Sequence, residues 1–341
     1  MGKEGKYSDI AEAQVRAQRP ARNARLKLGP KQAAAMDTLE DRWIKARQQI
    51  AEQGFHPITC VCKIDRIVLV TKKLNLDSLK AIPGYRPAKK ARFLPAASHY
   101  KMAHKIRGTG SIREVVVEYS PRSWGMNYRV TVIPGDDGLR RKDPKAILKL
   151  MPGCRLTLAE VCWDFPLASG VDVPFLRQRI LCGKMPLPDG GSVFHIKWGV
   201  PKGAMVVRAY TKFELSRTRL ELQLQTRFLR KHGINSISDF HRLQELLLPG
   251  HLWFGRLDLE KLVAQLSRRG MDAKKRRQIL ERVADREDSL WETLRYLRGK
   301  AGLANTRRLC DRLENENSCV RNALTTLLMT WPNASAKAGR E

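Results

Sequence analysis

Met205–Gln225, MVVRAYTKFELSRTRLELQLQ, alternates with a period of two. Met205, Val207, Ala209, Thr211 and Phe213 fall on one side, and Arg208, Tyr210, Lys212 and Glu214 on the other. The pattern resumes with Thr218, Leu220, Leu222 and Leu224 against Arg219, Glu221, Gln223 and Gln225. Alternation of this kind marks strands with one buried and one exposed face. Arg217 and its neighbours turn the chain between them. The polar faces carry a tyrosine, a carboxylate and several cations, so they form one chemically equipped wall of a sheet.

Upstream, Pro57–Thr71 reads as a strand rich in Ile and Val, and Leu76–Ile82 as a short helix ending before Gly84. Glu114–Tyr119 and Tyr128–Ile133 are strands joined by the turn-rich PRSWGMN. Asp143 opens a second round. Pro144–Leu150 is a short helix, Cys154–Phe165 a strand, Asp172–Leu181 a helix with Pro174 in its first turn, and Ser192–Trp198 a strand. Two passes of strand, helix, strand, strand therefore run from Pro57 to Ile133 and from Pro144 to Gln225. They predict an α+β fold with a mainly antiparallel sheet, helices on one face, and the other face open to a ligand.

Before this domain, residues 1–55 form a basic helical N-terminal extension. Its stretch from Lys31 to Gln53 carries an irregular apolar stripe of Leu39, Trp43, Ile44 and Ile50. It suits a docking helix, a DNA-contacting arm or a solvated helix alike. Residues 56–250 make the α+β domain. Residues 251–331 hold four or five helices. The segment NTRRLCDRLENE from Asn305 places Arg307 and Arg308 on a helix that suits a helix-turn-helix unit or a plain bundle with a basic surface. Residues 332–341 read as a disordered tail.

Lys and Arg total 64 against 34 Asp and Glu, a net charge of +30. Such an excess costs self-repulsion and points to a polyanionic partner, DNA or RNA before an anionic membrane. No run of eighteen apolar residues is present, and the start MGKEGKYSDI lacks the apolar core of a secretory signal. A cytoplasmic protein is expected. There are seven cysteines without a C-x-x-C, so they read as small buried thiols rather than a zinc site. Arg86–Arg107 holds seven cations and no acid, with Phe93, His99, Tyr100 and His104 interleaved. Arg86, Lys89, Lys90, Arg92, Lys101, Lys105 and Arg107 are candidate contacts to a DNA backbone, and the aromatics candidate stacking platforms.

A tyrosine phenol can attack a phosphodiester and form a phosphotyrosyl link. The reaction needs a proton acceptor, countercharge for the non-bridging oxygens, and help for the leaving 3′ oxygen. A divalent metal on carboxylates and nearby Lys or Arg supply these. Tyr210 is the candidate nucleophile, with Lys212 and Arg219 as its cations and Arg208 on the same face for DNA. Glu221 and Asp164 are the candidate carboxylates. Asp164 ends a strand whose Glu160, Cys162 and Asp164 oppose Val161, Trp163 and Phe165. Each has a plainer reading: Tyr210 as a packing residue, Arg219 and Glu221 as a cross-strand ion pair, Asp164 as a cap on the turn before Pro166.

From about Lys63 to Ile234, half of the chain, the sequence resembles rolling-circle replication initiators of the plasmid and filamentous-phage type, related to transfer relaxases. The resemblance lies in KIDRI at 63–67, EVCWDF at 160–165, the hairpin strand GGSVFHIKWG, VVRAYTK at 206–212, and TRLELQLQTRFLRKHGI after it. It implies a single-strand nicking and joining endonuclease that binds an origin and leaves a 3′ hydroxyl to prime synthesis. It implies Tyr210 as the nucleophile, Glu221 and Asp164 as metal ligands with Asp65 from the first strand, and Mg²⁺ or Mn²⁺ as cofactor. Origin DNA, single-stranded or as a hairpin, a helicase and the host replication machinery are the implied partners. The chain departs from the best-known nicking enzymes in having no His-x-His pair, so metal binding rests on carboxylates, with His195 as one histidine that suits. With one good tyrosine, closing the circle calls for water, Glu214 or the second subunit of a homodimer. A non-catalytic DNA- or RNA-binding sheet and a metal-dependent nuclease without a covalent intermediate are the competing readings.

Overall fold

The computed structural model describes residues 30–74, 86–87, 92–107, 111–123, 126–136, 138–139, 151, 153–182, 189–192, 195–198, 204–243, 252–284 and 290–329. The chain is α+β. Helix α1 is Pro30–Gln53; strand β1, Val61–Thr71, follows. Short β2 (Arg86–Pro87) and β3 (Arg92–Phe93) precede the meander β4 (Tyr100–Arg107), β5 (Ile112–Pro121) and β6 (Tyr128–Pro134). Then come β7 (Arg155–Pro166), α2 (Val173–Arg179), β8 (Ile180–Cys182), β9 (Asp189–Ser192) and β10 (His195–Trp198). The hairpin β11 (Met205–Lys212) and β12 (Arg217–Gln225) leads into α3 (Thr226–Lys231). The C-terminal part runs β13 (Leu252–Leu257), α4 (Leu259–Arg268), α5 (Ala273–Ala284), α6 (Leu290–Lys300), β14 (Cys310–Arg312) and α7 (Glu314–Met329).

Eleven strands form one sheet in the order β2-β4-β5-β6-β1-β7-β12-β11-β10-β9, with β3 paired to β4. Its described pairings are all antiparallel. One face is apolar. Ile64, Ile67, Ala159, Val161, Trp163, Val207, Ala209, Leu220, Leu222 and Leu224 all join a single buried cluster. Helices α2, α3 and α7 cover that face with Leu176, Phe228, Leu229, Val320 and Leu324. The Trp163 indole donates to the Val320 carbonyl at 3.0 Å, fixing α7 against the centre of the sheet. Burying this indole unpaired would cost free energy, so the bond selects the helix's position as well as its contact.

The alternation of Met205–Gln225 is borne out over both strands. The turn between them is a short 3-10 segment, Phe213–Leu215, closed by Ser216 in the left-handed region at φ 48°. Asp172 caps α2, accepting from the Phe175 amide at 2.7 Å, with proline in the first turn. Ser236 and Asp239 form a capping box after Gly233, which has φ +67°.

Helix α1 docks. Trp43 meets Phe213 edge to face with centroids 6.3 Å apart, and Leu39, Ile44 and Ile50 pack around Leu167 and Phe213. Arg47 pairs with Asp172 at 2.7 Å, and the Phe55 ring lies on Gly170, where a Cβ would come within 2.8 Å of it. Gly170 also sits at φ +70°, so glycine is required twice over.

Several expectations differ. Arg86–Arg107, to which no element was assigned, contributes β2, β3 and β4; on β4 Ile106 enters the core against Val115 of β5, while Ala103 is buried on the other side of the sheet with Lys105. Of the strand expected over Ser192–Trp198, Ser192 ends β9 and His195–Trp198 is β10. NTRRLCDRLENE is not a helix: Thr306–Leu309 is a 3-10 turn, Cys310–Arg312 is β14, and α7 begins only at Glu314. Leu309 and Thr306 are buried there, while Arg307 and Arg308 are exposed on the turn. The helices expected at 76–82 and 144–150, and the tail 332–341, lie outside the described residues. No helix among the described residues is long and apolar enough to cross a membrane.

The C-terminal part has its own core of Leu262, Leu266, Ile279, Leu290, Leu294, Leu297 and Leu309. It is tied to the large sheet through a second sheet, β14-β13-β8, in which β8 follows directly from α2. Asn317 of α7 completes the tie, accepting from the Phe254 amide at 3.0 Å and donating to its carbonyl at 2.9 Å.

Candidate active site

The other face of the large sheet is charged, and register places its residues. Across β10, β11, β12 and β7 one row reads His195, Tyr210, Arg219, Asp164. The next row reads Lys197, Arg208, Glu221, Cys162, and continues to Lys63 on β1. A third sets Gln223 against Glu160 and Glu160 against Arg66. Strand β1 slips register between Ile64 and Arg66. Asp65 is the extra residue of this bulge, which keeps Ile64 and Ile67 in the core while Asp65 and Arg66 both serve the polar side.

Two ion clusters form. In the first, Arg219 is 1 % exposed and grips Asp164 with two hydrogen bonds, Nε to Oδ1 at 2.5 Å and Nη2 to Oδ2 at 2.8 Å. Its Nη1 donates to Asp65. Lys63 adds its ammonium to Asp164 at 2.7 Å and also donates to the Asp136 carbonyl. The loop after β6 closes over Lys63, where Gly138 at φ +75° leaves no room for a Cβ. Burial pushes the Asp164 carboxyl up, but hydrogen bonds and charge from Arg219 and Lys63 overcome it and hold the group below the ordinary aspartate range.

The second cluster holds the tyrosine. The Tyr210 hydroxyl donates to Glu221 Oε2 at 3.0 Å. Glu221 Oε1 accepts from Arg208, whose Nη2 also reaches Glu160 Oε1 at 2.9 Å. Glu160 further accepts from Gln223 at 2.6 Å and from Arg66 Nε at 2.9 Å. Burial and the neighbouring Glu160 charge raise the Glu221 carboxyl above the ordinary glutamate range, against the pull of Arg208. Burial, then the Glu221 charge, raise the Tyr210 phenol as well. The phenol is thus firmly protonated at rest and hydrogen-bonded to an unusually basic carboxylate.

Asp65, Glu160 and Glu221 each offer an oxygen, and these atoms lie within 4.8 Å of one another. An all-carboxylate donor set of this size fits Mg²⁺ or Mn²⁺. Asp164 is not among these three; its oxygens face Arg219 and Lys63. Its place among the acids is taken by Glu160, which sequence reading left out although it shares a strand face with Asp164. The missing signal was cross-strand register, which sets Glu160 beside Gln223 and Arg66 and cannot be read from one strand.

Tyr210, Glu221, Asp65 and Arg219 are brought together as the sequence suggested. The face is not broadly open, however: Glu160, Asp164, Arg219 and Glu221 are all buried, while Tyr210, Arg208 and Lys212 are half-buried. Arg208, read as a DNA contact, is engaged by two carboxylates. Lys212 lies on the Tyr210 face one step toward the turn. His195 sits opposite Tyr210, ring centroids 6.5 Å apart.

Of the basic stretch, Lys101 and Arg107 are exposed on β4, and Lys105 pairs with Glu114. Register carries Lys105 through Val116 and Thr131 to Val68, on the same sheet side as Arg66. These cations stand three strands, about 14 Å, from β1. Phe93 is 84 % exposed, whereas Tyr100 is buried with its hydroxyl on the Met126 carbonyl, so it offers no ring for a base. Arg86 and Arg92 belong to β2 and β3; Lys89 and Lys90 lie outside the described residues.

The fold and site define an antiparallel sheet whose polar face pairs a tyrosine with a buried acidic cluster. No protein-family model matches the chain, and no curated protein matches it in sequence. Among solved structures, a rolling circle replication initiator protein from Geobacillus stearothermophilus is similar at 14 % identity and a TM-score of 0.36, over 57 % of this chain and 87 % of that one.

Proposed function

We propose that the chain is a DNA strand-nicking and joining enzyme that starts replication from an origin, with Tyr210 as nucleophile. The observation that carries this reading is the Tyr210–Glu221 hydrogen bond at 3.0 Å, set inside the Asp65–Glu160–Glu221 cluster. Glu221, which already accepts the hydroxyl hydrogen bond at 3.0 Å, takes the phenol proton. The phenol oxygen attacks phosphorus, the P–O(Tyr) bond forms, and the P–O3′ bond breaks. The 3′ oxygen takes a proton from solvent and is left as a primer end. Asp65, Glu160 and Glu221 would hold Mg²⁺ or Mn²⁺, which when bound supplies countercharge to the phosphate oxygens. Lys212 lies on the correct face to add to that countercharge. Arg219 acts as a positioning residue, holding Asp65 and Asp164 in place. The +30 charge and the cations of β4 support a nucleic-acid partner. A helicase and host polymerase would then take over the exposed strand and the 3′ end.

The test is a supercoiled plasmid carrying the DNA that flanks the coding region, incubated with protein and Mn²⁺. Wild type is expected to relax it and to remain attached to a 5′ end. Tyr210→Phe is expected to nick at least 10³-fold more slowly, about 4 kcal/mol of barrier, without the adduct. Nicking by wild type without an adduct would instead establish a metal-dependent nuclease. Full-rate nicking by the phenylalanine variant removes Tyr210 from the chemistry.

A further inference from the structure

The C-terminal unit carries a feature that the sheet chemistry does not use. Helices α4 and α5 are joined by four residues, Arg269–Asp272, with Gly270 at φ +65° making the turn. Two helices linked in this way, the second bearing the specificity residues, are the arrangement that reads duplex DNA. The pair is rigidly built. Leu262 and Leu266 of α4 and Ile279 of α5 are buried in one cluster. The Arg276 guanidinium donates to Ser267 Oγ at 2.7 Å across the turn, and Asp272 accepts from the Lys275 amide at 2.7 Å at the start of α5.

Helix α5, AKKRRQILERVA, has five cations and one acid. Its Ile279, Leu280 and Val283 face the core, and Lys274, Lys275, Arg277, Gln278 and Glu281 are exposed. Lys274, Arg277, Gln278 and Glu281 recur at helical spacing, so one continuous face presents donors at its N-terminal end. Arg277 is braced by Glu281 at 2.8 Å, and Arg282 lies over the Tyr296 ring at 5.1 Å, fixing the far end of α5 on α6. The apolar side of α5 is spent on the core, which leaves none to enter a bilayer. A helix of this width fits the B-form major groove but not the deep, narrow groove of A-form RNA.

We propose that α4 and α5 form a helix-turn-helix unit that seats α5 in the major groove of duplex DNA. Lys274, Lys275 and Arg277 supply charge and guanine-directed donors, and Gln278 a base contact. Arg268 and Arg269, exposed beside the turn, lie where the duplex backbone would pass. The proposal stands apart from the nicking reading and assigns sequence recognition to a surface away from Tyr210.

The test uses the full chain, fluorescent 30-base-pair B-form duplexes and a randomised duplex pool. Lys274→Ala/Lys275→Ala/Arg277→Ala is expected to weaken duplex binding at least tenfold at 0.1 M salt and to lower the log–log salt slope by about 2.7. Gln278→Ala is expected to shift the base preference selected from the pool and leave the slope unchanged. All four residues are exposed, and an unchanged thermal midpoint checks folding. Wild-type duplex affinity in the triple variant overturns the proposal. So does an equal loss on an A-form RNA duplex, or an unchanged selected motif in Gln278→Ala. Duplex binding is measured without Mn²⁺, so a failed nicking reaction leaves this result readable.

Discussion

Asp164 and Glu221 stand on adjacent strands of one sheet face, both about 2 % exposed, yet their acidities move in opposite directions. Burial raises both. Asp164 has Arg219 in two-point contact and Lys63 at 2.7 Å, enough cation to reverse the penalty. Glu221 shares Arg208 with Glu160 and has that second acid as its neighbour, so the penalty stands. The first cluster is a closed ion lock. The second sets Glu160 and Glu221 side by side with Arg208 shared between them and Arg66 on Glu160 alone, and the tyrosine points into it. The bulge residue Asp65, bonded to Arg219 and close to Glu160 and Glu221, joins them.

The largest effect expected from breaking this contrast is at Arg219. Arg219→Ala leaves Asp164 buried with Lys63 and, at 3.8 Å, Arg217, and frees Asp65 from its guanidinium. Removing one partner of a buried pair costs about 3–5 kcal/mol, read as a lower urea midpoint. Arg219→Lys is not expected to rescue it, because an ammonium cannot make the two parallel bonds to Asp164.

Smaller, and opposite in sign, is Glu221→Gln. The amide keeps an acceptor for Tyr210 while removing the charge that crowds Glu160. The thermal midpoint at pH 7 is expected to rise by a few degrees, about 1 kcal/mol, while any nicking activity collapses. A variant that is both more stable and inactive would mark Glu221 as a group held for chemistry. A loss of stability would mean that Arg208 outweighs the Glu160 repulsion.

The same contrast should appear against pH. The stability from Asp164 is fully present above the ordinary aspartate range and is lost as pH falls through its lowered folded value. Glu221 runs the other way: its raised folded value makes ionisation costly, so stability declines as pH rises from the ordinary glutamate range through that value. Asp164→Asn should therefore flatten the acid side of a stability–pH curve, and Glu221→Gln the side above pH 4.5. Urea midpoints between pH 3 and 8 separate the two.

How much of this was legible beforehand follows from which interactions are local. The faces of β11 and β12 were readable because alternation within a strand is a local signal, and Tyr210, Glu221 and Arg219 came with it. The bulge at Asp65 was not read from KIDRI; it shows only in the slipped pairing of β1 with β7 between Ile64 and Arg66. What was not legible depended on partners far along the chain. Glu160 becomes a cluster member only when β7 is placed between β1 and β12. Asp164 looked like a metal ligand until Lys63, about a hundred residues earlier, was laid against it. The basic stretch does carry the period of β4, with Lys101, Lys105 and Arg107 on one side and Tyr100, Met102, His104 and Ile106 on the other, but only pairing with β5 shows which side is buried; β14 hid in a segment whose Arg and Leu spacing also suits a helix.

The smallest effect tests whether the second cluster is built for an ion. Arg66 has a side chain 34 % exposed and pairs with Glu160. Glu160 is buried but keeps Arg208 and Gln223, so Arg66→Ala should lower the urea midpoint without metal by less than Arg219→Ala does. It does remove one cation from an acid that would share in holding Mn²⁺. If the cluster binds Mn²⁺, Arg66→Ala should bind it several-fold more tightly, and the midpoint gained on adding Mn²⁺ should exceed that of wild type. If the cluster is a second ion lock, the variant should show no added response to Mn²⁺, and the difference between the two halves of the sheet face would be one of degree.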